Sequence, residues 1–201
     1  MKYEALRVLR NKIYFTINDV SEILGIETNS ARVLCSRYTK KGLMVRLKRE
    51  FYILKEKWEI LSTEEFFRIS NILQVPSYIS LMSALSYYEV TTQVQRDFYE
   101  SVCLKRSKSY IKDGREFYFY KVNPGFYFDF EKVDDFFIAK KEKAFVDAIY
   151  LFSLGRYKFD TSFIDTGKID MKRVKKIIEI YPEKTKKLFQ KYGEFSQIGK
   201  F

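Results

Sequence analysis

Along the first sixty residues apolar positions recur three times at helical spacing and then alternate. Ala5, Leu6, Leu9 and Ile13 predict a first helix over Tyr3–Lys12. Ile17, Val20, Ile23 and Leu24 put one apolar stripe on a short second helix, opened by Thr16 and Asp19 in capping-box spacing. Gly25-Ile26-Glu27 predicts a tight turn. Thr28 or Asn29 is the expected cap of a third helix running to Lys40-Lys41-Gly42, where cations meet the negative dipole end and Gly42 takes the left-handed stop. Helix, three-residue turn, helix is the spacing of a helix-turn-helix.

The third helix is two-faced. At about 100° per residue, Ala31, Leu34, Cys35 and Tyr38 share one apolar arc. The opposite arc carries Asn29, Arg32, Val33, Ser36, Arg37 and Lys40, and no acid. An ordinary solvated face mixes Glu with Lys. Arginine suits guanine edges and phosphates, Asn suits adenine, and Ser suits either, so this arc has the chemistry of a recognition face. Next, Met44–Leu47 and Phe51–Leu54 alternate around Lys48-Arg49-Glu50, which predicts a β-hairpin placed as the wing of a winged helix-turn-helix. Arg46, Lys48 and Arg49 would then meet phosphates or a minor groove. The expected DNA-binding residues are Thr28, Asn29, Arg32, Ser36, Arg37 and Lys40 on the helix, with Arg46, Lys48 and Arg49 on the wing.

Beyond the hairpin, Lys55–Ile60 reads as a short connection. Thr63–Leu73 reads as a helix capped by Ser62 or Thr63, apolar on more than one face and broken at Pro76. The pattern then changes. Ser80–Tyr88 predicts a short helix with small residues, and Phe98–Lys105 a strand. Asp113-Gly114 marks a hairpin between Ser109–Ile111 and Glu116–Val122. Phe117-Tyr118-Phe119-Tyr120 is aromatic on both faces, as in a strand with neighbours on both sides. Phe126–Phe130 and Phe136–Ala139 are further candidate strands, followed by a helix from about Lys140 to Phe152. Asp170–Ile180 and Glu183–Tyr192 close the chain as helices with Val174, Ile177, Ile178, Leu188 and Phe189 inward and lysines outward. The fold class is therefore α+β. An N-terminal winged helix-turn-helix (1–57) leads through a connecting helix (58–75) into an α+β lobe (76–201) with a mostly antiparallel sheet and C-terminal helices.

Composition narrows the chemistry. There is no histidine among 201 residues, which removes Ser-His-Asp and Cys-His nucleophile pairs and His-containing zinc sites. Two cysteines, Cys35 and Cys103, cannot make a four-thiolate site and read as buried free thiols. No Gly-rich phosphate loop is present, and carboxylate pairs such as Asp129 with Glu131 sit in no pattern that forces convergence. No catalytic residue, cofactor or metal is assigned. The N-terminal residues lack the features of a signal peptide and no apolar run reaches the length of a membrane span, so a cytoplasmic protein is expected. Of the net charge of +11, residues 1–60 carry +6, 61–135 carry −2 and 136–201 carry +7. Two basic ends point to a polyanionic partner, although basic helices can also serve solubility alone.

Three segments are similar to a known family. Lys41-Gly42-Leu43 with Arg49-Glu50-Phe51-Tyr52-Ile53-Leu54 closes the winged helix. Tyr78–Tyr88 looks like a Ser-x-x-Ser-Ala-Leu-x-Tyr block, and Ile138–Asp147 like an Ala-x-x-Glu-Lys-Ala-x-x-Asp block. In this order they resemble the abortive-infection type IV antitoxins, the AbiEi-like transcriptional regulators of bacterial and archaeal defence operons. Glu50 stands where that family often has a wing glycine, and Met82 and Tyr88 replace a commoner Glu and His. The resemblance implies a repressor that binds inverted repeats of double-stranded DNA in its own promoter as two copies, the protein itself being a monomer or weak dimer. It also implies an antitoxin whose second lobe counteracts a nucleotidyltransferase-like toxin, with or without a stable complex. Read from the residues alone, Lys143 and Asp147 form an i,i+4 pair with a structural role. Two other readings stand beside this one: a protein–protein module that neutralises a partner directly with little specific DNA binding, and a metal-dependent nuclease using Asp129 or Glu131.

Overall fold

The computed structural model describes residues 2–93, 95–158 and 160–198; Met1, Val94, Phe159 and residues 199–201 lie outside the description. The protein is a mixed α+β chain with two sheets. It divides into two compact units, one comprising the chain through Leu73 with Ile111–Arg115, the other Gln74–Tyr110 and the chain from Glu116. Among the described residues no helix is long and apolar enough to cross a membrane.

In the first unit, α1 (Lys2–Leu6) tightens into a 3-10 turn over Arg7–Asn11 rather than continuing as one α-helix to Lys12. Leu6 and Leu9, three apart, are both buried, and three residues per turn stacks them on one side while Val8 is left exposed. Strand β1 (Phe15–Thr16), α2 (Ile17–Leu24), α3 (Thr28–Lys40), β2 (Met44–Lys48) and β3 (Phe51–Leu54) follow. The three strands form an antiparallel sheet in the order β1-β3-β2. Its turn is only Arg49-Glu50; Lys48, expected in the loop, belongs to β2 opposite Phe51, because a bulge between Arg46 and Lys48 absorbs one residue. Leu6, Leu9, Phe15, Ile17, Val20, Ala31, Leu34, Cys35, Met44, Tyr52 and Leu54 make one core. The stretch read as a connection holds a helical turn, α4 (Lys55–Trp58), that buries Trp58. In α5 (Thr63–Leu73), Phe66 packs edge-on against Trp58 at 5.1 Å. Ser62 caps this helix reciprocally with Glu65.

The second unit holds all but the β6–β7 hairpin tip (Ile111–Arg115) of a six-stranded sheet in the order β6-β7-β5-β4-β9-β8. Its strands are β4 (Ser77–Ile79), β5 (Phe98–Cys103), β6 (Lys108–Lys112), β7 (Arg115–Lys121), β8 (Phe130–Val133) and β9 (Phe136–Ala139). The sheet is mixed: β4–β5 and β8–β9 are antiparallel and β6–β7 is a hairpin, while β7 runs parallel to β5, and β9 parallel to β4. The reason lies in which strand of each consecutive pair is the more apolar. In β7, Phe117 and Phe119 are buried; in β9, Phe136, Ile138 and Ala139 are buried; β6 and β8 are largely solvent-facing. Each pair therefore puts its second strand inside and its first at the edge, which sets the inner strand parallel to its new neighbour. The Asp113-Gly114 turn has positive φ at both residues, as a two-residue hairpin requires. Phe126–Phe130 is not a strand: Asn123 accepts from the Gly125 amide and starts a 3-10 turn, and extended pairing begins only at Phe130. Phe130 stacks on the buried Tyr78 ring instead, at 4.6 Å, and Tyr127 meets that ring tilted, at 4.9 Å. Helices α6 (Leu81–Tyr87), α7 (Lys141–Ser153), α8 (Met171–Ile178) and α9 (Glu183–Ile198) complete the unit, with α7 packed against the other three and buried along most of its length.

Candidate nucleic-acid interface

The exposed face of α3 is held in place from both ends. On the N-terminal side, Thr16 and Asp19 close the expected capping box: the Thr16 amide donates to Asp19 at 2.6 Å and the Asp19 amide to the Thr16 hydroxyl at 3.3 Å. Partial burial would raise the Asp19 carboxyl, but hydrogen bonds from Lys12 and Thr16 outweigh it and hold the group down at about 2. Gly25, left-handed at φ 58°, ends α2, and the Ser21 hydroxyl donates to the Ile26 carbonyl across the turn. Helix α3 then begins at Thr28, with Glu27 at the cap position and no side-chain cap bond; neither Thr28 nor Asn29 caps it, since both are already helical. Ala31, Leu34 and Cys35 anchor the inner face, and Tyr38 meets Tyr3 edge-on at 5.3 Å.

What remains outside is Thr28, Asn29, Ser30, Arg32, Val33, Ser36, Arg37 and Lys40, all exposed. Arg32, Val33, Ser36, Arg37 and Lys40 line an open hollow of about 380 Å³. Helical phase alone therefore brings six of the nine expected contact residues to one face. Val33, which lies on the same arc but was not among them, is an exposed apolar group within the hollow. An aliphatic side chain there is chemically suited to a thymine methyl; its β-branched exposure on a polar face was the signal.

The hairpin residues divide. Arg46 and Arg49 are exposed, and with Arg37 and Lys40 they have no ion-pair partner among the described residues. Lys48 turns inward: its ammonium donates to the Ile72 carbonyl at 2.8 Å and lies 4.4 Å from the centre of the Phe51 ring. It holds α5 to the hairpin, and a phosphate contact would require breaking that bond. Arg32 is engaged in a different way, donating to Asn29 Oδ1 at 2.7 Å and to Glu50 Oε1 at 3.1 Å. Glu50 sits at φ 67° in the hairpin turn, a left-handed position for which glycine is the unstrained residue.

Two polar clusters lie inside the second unit. Lys143 and Asp147, one helical turn apart on α7, form an ion pair with no solvent exposure on either side chain. Asp147 also accepts from Tyr78 at 3.0 Å and Ser80 at 2.8 Å, and Lys143 donates to Tyr181 at 3.0 Å. Burial lowers the Lys143 ammonium, with Asp147 opposing, and pushes the Tyr78 hydroxyl far up. This cluster joins the Tyr78–Tyr88 and Ile138–Asp147 blocks. It is sealed and does the work of a brace. The second cluster centres on Glu100, fully buried in β5. Burial pushes its carboxyl up to about 7, against donors from Tyr157, Gln95 and the Met82 amide. An acid within a strand of otherwise buried residues was its signal in the sequence.

The carboxylates named for a nuclease lie in and just before β8. Asp129 bonds Arg173 at 2.6 Å, and Glu131 accepts from Tyr88 at 3.4 Å. Among the described residues no group of three or more His, Cys, Asp or Glu side chains converges to hold a metal. Comparison of the chain with protein-family models, with curated proteins and with solved structures gives no match.

Proposed function

We propose that the protein is a sequence-specific DNA-binding regulator, in which α2, α3 and the β2–β3 hairpin act as a winged helix-turn-helix and α3 enters the major groove. The observation that carries this reading is the outer face of α3: eight exposed residues, three of them cations, no acid, with five of the eight lining one open hollow. Arg37, Lys40, Arg46 and Arg49 supply unpaired positive charge for phosphates, and Asn29, Arg32, Val33 and Ser36 supply base-edge chemistry. A single such module reads a half-site, so two copies on an inverted repeat are expected. From the resemblance we further propose that the target is the protein's own promoter and that the second unit belongs to an antitoxin opposing a nucleotidyltransferase-like toxin.

Fluorescence anisotropy tests the first half. DNA from just upstream of the gene and a scrambled duplex are titrated at two salt concentrations. A preference of about a thousandfold for the upstream duplex is expected. Equal, weak, salt-sensitive binding to both would sink the reading and leave a generic basic surface. The second half is tested by co-expressing the chain with the neighbouring gene product: growth rescue supports it, and continued toxicity rejects it.

A further inference from the structure

The Arg32–Glu50 contact is unusual for a recognition face, because it places an acid against the central arginine. We propose that Glu50 is a specificity-determining residue of the DNA-reading face, and that with Arg32 it reads a single G·C base pair while penalising non-specific phosphate contact. The inference rests on the DNA-binding reading above.

The geometry favours this role over that of an ordinary surface pair. Asn29 and Glu50 take one N–H from each terminal nitrogen of the Arg32 guanidinium, at 2.7 and 3.1 Å, so its plane is set before any ligand arrives. The fork has five N–H groups, and those left over can still donate. The turn that carries Glu50 is itself fixed, since its carbonyl accepts from the Ile17 amide at 3.2 Å, tying the hairpin to the start of α2. Both side chains remain open, 47% and 45% exposed, so an incoming base edge can reach them. A glutamate at φ 67° also keeps a side chain where glycine would be unstrained.

A guanine edge is neutral and offers O6 and N7 as two in-plane acceptors to arginine, while the cytosine paired with it offers its N4 amino donor to a carboxylate. Arginine and glutamate side by side thus match the donors and acceptors of one G·C pair, and Glu50 need not be expelled. A phosphate approaching Arg32 meets the Glu50 charge, and the neutralised arginine contributes little to counterion release. The same carboxylate therefore weakens indiscriminate binding and rewards one base pair.

The test uses the full chain and its Glu50→Gln variant, which keeps length and removes charge. A random-duplex library selected on the wild-type protein yields its preferred site. Anisotropy then follows that site, its single-base-pair variants and a scrambled duplex. For the wild type we expect one G·C position whose replacement costs about tenfold or more. For Glu50→Gln we expect most of that preference to be lost, scrambled DNA to bind several-fold tighter, and the log–log salt slope to steepen by about one. Glu50→Gly, which relieves the left-handed strain, should behave like Glu50→Gln and guards against a folding artefact. If the wild type selects a site but both variants keep the same preferences and the same scrambled affinity, the proposal is overturned and the DNA-binding reading stands. If the wild type selects no sequence, both fall.

Discussion

Lys143 and Asp147 carry opposite charges where water cannot reach, and the consequences can be measured on single residues. Removing one partner of a buried pair leaves an uncompensated charge. Lys143→Met is therefore expected to destabilise the protein by about 3–5 kcal/mol, while Lys143→Met with Asp147→Leu recovers most of the loss. Urea unfolding of both variants checks this, and a single change costing under about 1 kcal/mol would show that the pair braces nothing. Glu100 makes a separate prediction. Its folded carboxyl titrates at about 7, above its ordinary value of 4.5, so the folded state binds the extra proton between those limits. Stability should be highest below about pH 4.5 as far as this group is concerned, fall as pH rises to about 7, and level off above. The span is on the order of 3 kcal/mol. Glu100→Gln should lack this component, and identical pH profiles for the two proteins would refute it. The i,i+4 spacing of Lys143 and Asp147 was legible in the sequence. Their burial was not, because the partners Tyr78, Ser80 and Tyr181 come from distant segments and nothing local separates a sealed pair from a solvated one.

At the scale of elements, legibility follows how local the cause is. The α2 capping box, the left-handed Gly25 and the two-faced pattern of α3 depend on residues within a turn of each other, and the structure shows each of them. Thr16→Ala should therefore cost about 1 kcal/mol and lower the thermal midpoint by a few degrees; an unchanged midpoint would mean that α2 is held by packing alone. Partner choice between strands is less local. The Asp113-Gly114 turn and the aromatic run announced β7, and β9 was a candidate strand, but their parallel pairing depends on comparing each with the strand before it and putting the more apolar one inside. Lys48 is the same lesson in the candidate site. As a cation in a basic hairpin it reads as a phosphate contact, yet a carbonyl on α5, more than twenty residues later, accepts a hydrogen bond from its ammonium. Arg32→Ala and Lys48→Ala should thus differ: the first should weaken binding and relax base preference, the second should destabilise the hairpin with little direct effect on DNA affinity. Equal losses of affinity in two equally stable variants would contradict that division.

For the whole molecule the question is which positive charge meets the polyanion. The two basic ends of the sequence become the face around α3 and the outer sides of α8 and α9, where Lys172, Lys175 and Lys176 are exposed. Net charge alone cannot rank them, since both would steer DNA at long range. Counterion release can, because it counts phosphates neutralised at contact. With Lys48 turned inward and Arg32 compensated by Glu50, the cations left for phosphates are Arg37, Lys40, Arg46 and Arg49, with Lys41 beside them. This gives a log–log salt slope of about −4 to −5 per protomer, shallower than the six cations among the expected contact residues would suggest. Replacing Arg37 and Lys40 by Gln should flatten that slope by about two. Replacing Lys172, Lys175 and Lys176 by Gln should leave it, and the preference for upstream DNA, unchanged. The reverse pattern would move the nucleic-acid surface to the second unit. A slope unchanged by either set would mean that neither face meets the backbone, and the basic surfaces would then have to be explained by solubility or by an acidic protein partner.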